Sequence, residues 1–260
     1  MEQAALHKLG DELYAAMCER RMVAPLTEVN PHLSIEDAYQ ISLQFLANRV
    51  NAGEAVIGKK IGVTSKAVMD MLGVGQPDFG FMTDAMRHDG EMAISSALIQ
   101  PRAEGEIAFL LKRDLQGPGV TNADVLAATD AVMPCFEVVD SRVKDWQIKI
   151  QDTVADNASC GWFTVNEAAA ISPTAIDLAT CGMVVTKNGK VISTGAGAAA
   201  LGSPVNCVAW LANTLGEFGI TLKQGDIILS GSLVPLEPVT AGDEMTVRIG
   251  GMGDCTVAFT

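Results

Sequence analysis

The change of texture at Ala55 constrains the fold more than any other feature of the chain. Before it the residues follow a helical period; after it, short runs of β-forming residues are cut repeatedly by Gly, Asn and Pro. Upstream, Ala5, Leu9, Leu13 and Ala16 share one stripe of a helix expected over residues 4–21 and ended by Pro25. A second helix is expected to start at Ser34, which has capping-box spacing to Asp37. Ala38, Ile41, Phe45 and Leu46 form its apolar face, and Gly53 stops it. Downstream, strands are expected over 55–63, 104–112, 132–139, 183–186, 190–193, 227–229, 245–249 and 255–259. Helices are expected over 65–72, over 122–131 with Thr121 as cap, and over 208–218. Asn188-Gly189 signals a two-residue hairpin, because a type I′ turn needs positive φ twice. The strands do not alternate regularly with long helices, which argues against a doubly wound sheet. The reading is α+β, with a helical N-terminal region (1–54) before a β-rich body (55–260).

Charge then narrows the partners. Lys plus Arg number 18 against 31 Asp plus Glu, a net −13, which argues against a nucleic-acid or anionic-membrane surface. An anionic small molecule must therefore be held by a local cation. The N-terminus lacks the basic-then-apolar order of a signal peptide. The uncharged run 191–216 is broken by glycines, Pro204, Asn206 and Asn213, so it reads as strand end, loop and helix rather than a membrane span. Six widely spaced cysteines with no C-x-x-C pair read as reduced thiols of a cytoplasmic protein.

The sharpest chemical feature is Arg102-Ala103-Glu104-Gly105-Glu106. On a strand, the two glutamates share a face about 7 Å apart. A generic E-x-E is a solvated edge, but Ile107-Ala108-Phe109-Leu110-Leu111 follows here and favours burial. Glu137 sits in an apolar strand of its own and needs a partner, since a lone buried carboxylate is neutralised. Three carboxylates around Mg²⁺ or Mn²⁺ satisfy both demands, because hard cations take oxygen ligands; the residues alone leave the solvated edge open as well. In Gly58-Lys59-Lys60-Ile61-Gly62 the lysines alternate sides, so Lys59 can face solvent and Lys60 inward, where Gly58 and Gly62 leave room for a ligand. Asp78 is expected at the tip of the Gln76–Gly80 turn. Residues 152–159 read as a small-polar loop ordered against a site. The G-x-G-x-x-A run at 195–200 lacks the strand-to-helix context of a dinucleotide site. His88, beside Asp89, is the one candidate for a water-activating histidine.

These segments resemble a known family. Gly58–Ser65, Gln76–Gly80, Gln100–Glu106, Pro134–Arg142, Asp152–Ser159 and Leu201–Pro204, in order along nearly the whole chain, are similar to the hydratase/decarboxylase family of aromatic meta-cleavage pathways. That family lies within the fumarylacetoacetate hydrolase superfamily. The resemblance implies a mixed β-roll, barrel-like body with Glu104, Glu106 and Glu137 as ligands of Mg²⁺ or Mn²⁺. Lys60, Asp78 and Asp156 take catalytic places, with a lowered Lys60 pKa expected near the metal, and Arg102, Ser159 and Ser232 contact substrate. Ser230-Gly231-Ser232 departs from the Thr-Gly-Thr often seen in the hydrolase branch, which weakens the carry-over there. The implied activity is metal-dependent addition of water to a small 2-oxo or 2-hydroxydienoate acid. The alternatives are a 4-oxalocrotonate-type decarboxylase or its non-catalytic partner. A homo-oligomer and a complex with the pathway decarboxylase are also implied.

Overall fold

The computed structural model describes residues 1–260, with the side chains of Ala67, Met71 and Leu72 outside the described set. Its elements run α1 (Gln3–Glu19), α2 (Leu26–Val29), α3 (Ile35–Asn51), β1 (Val56–Gly62), α4 (Lys66–Leu72), β2 (Asp78–Thr83), β3 (Glu91–Met92), β4 (Pro101–Leu111), α5 (Asn122–Ala128) and β5 (Thr129–Asp140). There follow α6 (Ile150–Ala155), β6 (Trp162–Val165), β7 (Gly182–Lys187), β8 (Lys190–Ala196), α7 (Pro204–Glu217), β9 (Ile227–Leu229), β10 (Glu237–Pro238), β11 (Glu244–Ile249) and β12 (Gly253–Phe259).

Two sheets form the body. The larger has the order β2-β1-β9-β4-β5-β6, with β10 added to β4; the smaller has the order β3-β12-β11-β7-β8. β1 and β9 run parallel while β4 pairs antiparallel with β5 and β9, so the larger sheet is mixed. Alternation along β4 and β5 separates two environments. Ile107, Phe109, Phe136 and Val138 join the main core, which also takes Val185 and Val247 from the smaller sheet and Leu6, Leu13, Ile41 and Phe45 from α1 and α3. Ala108, Met133 and Cys135, on the opposite face, join Met82, Met86, Cys160 and Phe163 in a second apolar cluster. Glu104 and Glu106 belong to that second face. Gly105 between them faces the smaller sheet: a Cβ there would stand 3.0 Å from Met183 Sδ and 3.2 Å from methyl groups of Val185 and Val247. The glycine in E-G-E is thus a packing requirement, and it holds the sheets close enough to bury the strand that carries the acids.

Local chemistry accounts for most boundaries. Ser34 caps α3, accepting from the Asp37 amide at 3.1 Å, and Thr121 caps α5 through Asp124. Asn188 and Gly189 both take positive φ in the β7–β8 hairpin. α7 starts with Pro204 in its first turn behind the Ser203 cap, and the 195–200 glycines hold only a single 3₁₀ turn, Gly197–Ala199. Four expectations shift, one of them the helix expected over 122–131, which ends at Ala128 where β5 begins. α1 ends at Glu19, where Arg20 turns left-handed, well before Pro25. Asp78 does not tip a turn but opens the buried strand β2. Residues 152–159 are mostly the helix α6 and a following tight turn rather than a loop. Five cysteines are buried free thiols and Cys18 is exposed. Among the described residues no helix is long and apolar enough to cross a membrane.

A direct check on the sheet contact is Gly105→Val. Overpacking against Val185 and Val247 is expected to cost about 2 kcal/mol, or ~5 °C in Tm. Gly182→Ala meets open space in the same assembly and should leave Tm unchanged; both are read by thermal denaturation.

Candidate active site

Strand register brings the acids together. Glu104 lies directly opposite Glu137, and Glu106 opposite Cys135, so all three glutamates project from one face of β4 and β5. One oxygen from each lies within 4.8 Å of the others. Lys60 enters from β1 through the intervening strand: Lys60 pairs with Leu229 of β9, and Leu229 with Ala108 of β4, on that same face. Its Nζ stands 3.1 Å from Glu137 Oε1. The group is deeply placed, with Lys60 3%, Glu137 1%, Glu106 0% and Asp78 1% exposed. Arg102 and Glu104 are only half-buried, so the face opens towards the start of β4.

Electrostatics follow from that burial. Burial, with Glu137 adding to it, pushes the Glu104 carboxyl up to about 7. Burial and then the neighbouring Glu137 and Glu104 hold Glu106 well above the usual carboxylate range. Glu137 and Asp78 are raised by burial too, with Lys60 opposing the shift. For Lys60, burial alone would lower the ammonium; the Glu137 and Asp78 carboxylates outweigh it and leave the group above its usual value. With the acids alone around it, the lysine is held as a cation; the lowered pKa expected beside a metal belongs to the metal-loaded cluster.

The donor set fits a hard divalent cation. Glu106 Oε1, Glu137 Oε2 and Asp78 Oδ1 are buried without a hydrogen-bond partner, and Glu137 Oε1 has only the Lys60 ammonium at 3.1 Å. Buried carboxylate oxygens left in that state require a cation or protons. Glu106 Oε2 is already fixed at 2.8 Å by the Gly231 amide. Gly231 has φ +93°, and a Cβ there would overlap Thr64, so the turn after β9 can present its amide only as glycine.

The remaining expected residues fall in different places. Lys59 does not face solvent; it is buried in an ion pair with Asp226. Gly58 and Gly62 do not make room for a ligand. A Cβ at Gly58 would overlap the Ile227 carbonyl, and one at Gly62 would overlap Asp78, so both make room for protein. Asp156 is not free to orient water. Its oxygens accept from Arg142 Nε, from the Arg142 amide at 3.0 Å, and from the Ser141 and Ser159 hydroxyls at 3.4 and 3.3 Å. Burial raises Asp156 to about 6 against the opposing pull of Arg142. Ser159 is spent on that clamp, and the Ser232 hydroxyl on the Val234 carbonyl at 2.6 Å, so neither contacts the carboxylate cluster by hydrogen bond. Arg102 does share the strand face of Glu104 and Glu106. His88 stacks at 4.0 Å on Trp162, which pairs with Val138 on the face away from Glu137, and this removes the histidine a water-activating pair would need.

Sequence reasoning missed the frame behind these residues. Arg142, 1% exposed, bonds Asp156, the Asp156 carbonyl and the Cys160 carbonyl, and its guanidinium lies 5.3 Å from the Phe45 ring centre. Asp152 accepts from the Thr27 amide and hydroxyl at 3.0 and 2.8 Å. The Asn157 side chain pairs with both backbone groups of Phe81 at 2.8 and 2.9 Å, and Thr153 donates to Asp78 Oδ2 at 3.4 Å. The 152–159 segment thus ties β2 and Asp78 to the end of β5 and to the N-terminal helices. Arg142 follows the apolar strand β5 within a charged run, Asp140 to Asp145, and its partner lies 14 residues on at no fixed period, so no sequence signal marks the pair.

Comparison with known proteins agrees with this geometry. The family model described as fumarylacetoacetate (FAA) hydrolase C-terminal matches residues 63–260. A 2-hydroxypent-2,4-dienoate hydratase of Pseudomonas putida is 69% identical over 222 residues, 85% of this chain and 100% of the relative. A 2-hydroxyhexa-2,4-dienoate hydratase of Comamonas testosteroni is 58% identical over 254 residues, 96% of each. The solved structure of 4-oxalocrotonate decarboxylase from Pseudomonas putida G7, complexed with magnesium and adipate, superposes with TM-score 0.96 at 36% identity. That match covers 100% of this chain and 99% of the other.

Carboxyls raised by burial stabilise the fold below their unfolded pKa, near 4.5, and that stability is lost as pH rises through the folded value, about 7 for Glu104. With chelator present, Tm is therefore expected to fall by ~5 °C between pH 5.5 and 7.5. Added Mg²⁺ should remove most of the difference. A chelated protein equally stable at both pH values would contradict the buried-acid assignment.

Proposed function

The chain belongs to the fumarylacetoacetate hydrolase family, and on that premise we propose that it hydrates 2-hydroxypenta-2,4-dienoate (2-oxopent-4-enoate) to 4-hydroxy-2-oxopentanoate in aromatic meta-cleavage catabolism. The observation that carries this reading is the buried trio Glu104, Glu106 and Glu137 with donorless oxygens beside Lys60. Identity of 69% and 58% to two dienoate hydratases supports the hydro-lyase class over the decarboxylase, to which identity is 36%.

In this reading the three glutamates hold Mg²⁺ or Mn²⁺, since an all-oxygen, all-carboxylate set suits hard cations better than Zn²⁺. The bound ion would supply Lewis-acid polarisation of the 2-oxygen. The chain's own groups handle the protons. Conversion of the dienol to the 2-oxo-3-enoate moves a proton from O2 to C5; water then adds at C4, and its second proton goes to C3. Lys60, kept cationic by Glu137 and Asp78, is the buried donor facing the cluster. Asp78, with Oδ1 free of donors, is the acceptor that orients the attacking water. Asp156 serves through the Arg142 clamp instead of touching substrate. The apolar wall of Met82, Met86, Met133 and Phe163 behind the acids excludes bulk water. Arg102 at the open end takes the substrate carboxylate. Self-association, a complex with the decarboxylase of the same pathway and a cytoplasmic location belong to the same proposal; the free thiols and full-length likeness to a decarboxylase support them.

Purified protein given freshly generated 2-hydroxypentadienoate and Mg²⁺ or Mn²⁺ should consume the dienol and yield 4-hydroxy-2-oxopentanoate by mass spectrometry. Carbon dioxide released from a 2-oxo-enedioate, without hydration of the dienoate, would select the decarboxylase reading.

Glu106→Gln should lower kcat at least ~100-fold at saturating metal with the fold retained by circular dichroism. Lys60→Ala should lose kcat to a similar degree. Lys59→Ala, which strands the buried Asp226 on the far side of the strand, should lose mainly thermal stability. Equal kcat losses in the two lysine variants would overturn the assignment of Lys60.

A further inference from the structure

Among the described residues, every buried or half-buried Lys or Arg has a carboxylate within ion-pair distance, with one exception. Arg21, Arg49, Lys59, Lys60, Arg87, Arg142 and Lys187 all pair with acids. Arg102 pairs with none and rests instead on an aromatic ring, its guanidinium carbon 4.7 Å from the centre of Trp146. It stands two residues before Glu104 on one strand face, at the half-buried end of the acid cluster. In a chain of net charge −13, a partly buried cation with no carboxylate of its own beside a cluster of acids has the chemistry to receive an anionic group.

The support under that guanidinium is itself held rigidly. The Trp146 indole donates from Nε1 to the Gln100 carbonyl at 3.2 Å, so ring and arginine hang from the same segment of chain. Asp145 and Trp146 both take positive φ, 54° and 55°, a conformation that bulky L-residues adopt only when their surroundings impose it. The imposing contacts are the Val23 amide on the Arg142 carbonyl and the Lys144 amide on the Val23 carbonyl, both 2.9 Å, with Gln100 Nε2 bonding the Ser141 and Val143 carbonyls. A strained backbone and a bonded indole together fix the ring over which the guanidinium lies.

We propose that Trp146 is a positioning residue that aims Arg102 at the carboxylate of a 2-oxo acid, and so sets substrate affinity without taking part in proton transfer. The proposal rests on the 2-oxo acid reading of the site and adds the residue that prepares its anion receptor. A ring under the guanidinium carbon holds the cation without a carboxylate partner, leaving its charge to a ligand carboxylate, which a salt bridge in its place would neutralise.

The test uses the Mg²⁺-loaded protein and 2-oxopentanoate, a saturated analogue that cannot be hydrated, with Kd by titration calorimetry beside kcat and KM on the dienoate. Trp146→Leu should raise Kd and KM about tenfold and leave kcat within about twofold. Trp146→Phe, which keeps an aromatic face, should recover most of the affinity. Arg102→Ala should weaken binding at least as much, and adding Trp146→Leu to it should change nothing further. An unchanged Kd in Trp146→Leu, or additive losses in the double variant, overturns the proposal. If the wild-type protein binds 2-oxopentanoate through Trp146 yet leaves the dienoate intact, the hydratase reading fails and this one stands. If it hydrates the dienoate and Trp146→Leu binds normally, the reverse holds.

Discussion

Three glutamates cannot be buried on one sheet face as three bare anions, and the architecture around them answers that constraint. Glu104 and Glu137 face each other across a strand pair, a placement that costs energy unless a positive charge lies between them. Lys60 supplies one such charge from β1, and raised carboxyl pKa values record how incompletely one ammonium compensates three glutamates and Asp78. Mixed strand order is what allows the compensation. β9 inserts between β1 and β4, running parallel to one and antiparallel to the other, and carries the lysine and the acids on a common face.

Behind this face the protein spends its polar residues on rigidity. The Arg142–Asp156 pair is fully buried and supplied with further hydrogen bonds from Ser141, Ser159 and the backbone, the condition under which a buried ion pair is tolerated. Through Asn157 and Thr153 the same segment holds β2 and Asp78, and through Phe45 and Thr27 it reaches the N-terminal helices. The helical region therefore acts on the site through its packing against the scaffold, and none of the expected site residues comes from it.

Much of this was legible in advance, for identifiable reasons. Period-two alternation in Glu104–Leu111 assigned the two faces of β4 correctly, because a half-buried strand writes burial directly into its sequence. Ser34, Thr121 and Asn188-Gly189 marked their boundaries because caps and tight turns depend on neighbours within four residues. Asp78 and Lys59 were expected at a turn and at the surface because a polar residue near Gly or Pro reads so, and the 152–159 segment was expected as a loop because its helix is only six residues long. Here Asp78, Lys59, Asp156 and Ser159 are each buried against a partner 3 to 167 residues away. Trp146 gave no signal at all, since a single aromatic ring between Asp145 and Gln147 has no period.

The sequence by itself determined the α+β class and the two faces of β4 through local periodicity, while the acid-and-lysine cluster was named by the family resemblance of its motifs, the residues alone leaving a solvated edge open. Only the tertiary structure decided which acids meet, which lysine faces them, that Arg142 occupies Asp156, and that Arg102 alone keeps an unclaimed charge among the described partly buried cations. Those outcomes depend on sheet order and on contacts between distant segments, where Coulomb energy and desolvation are set by ångström-scale separations that no local pattern records.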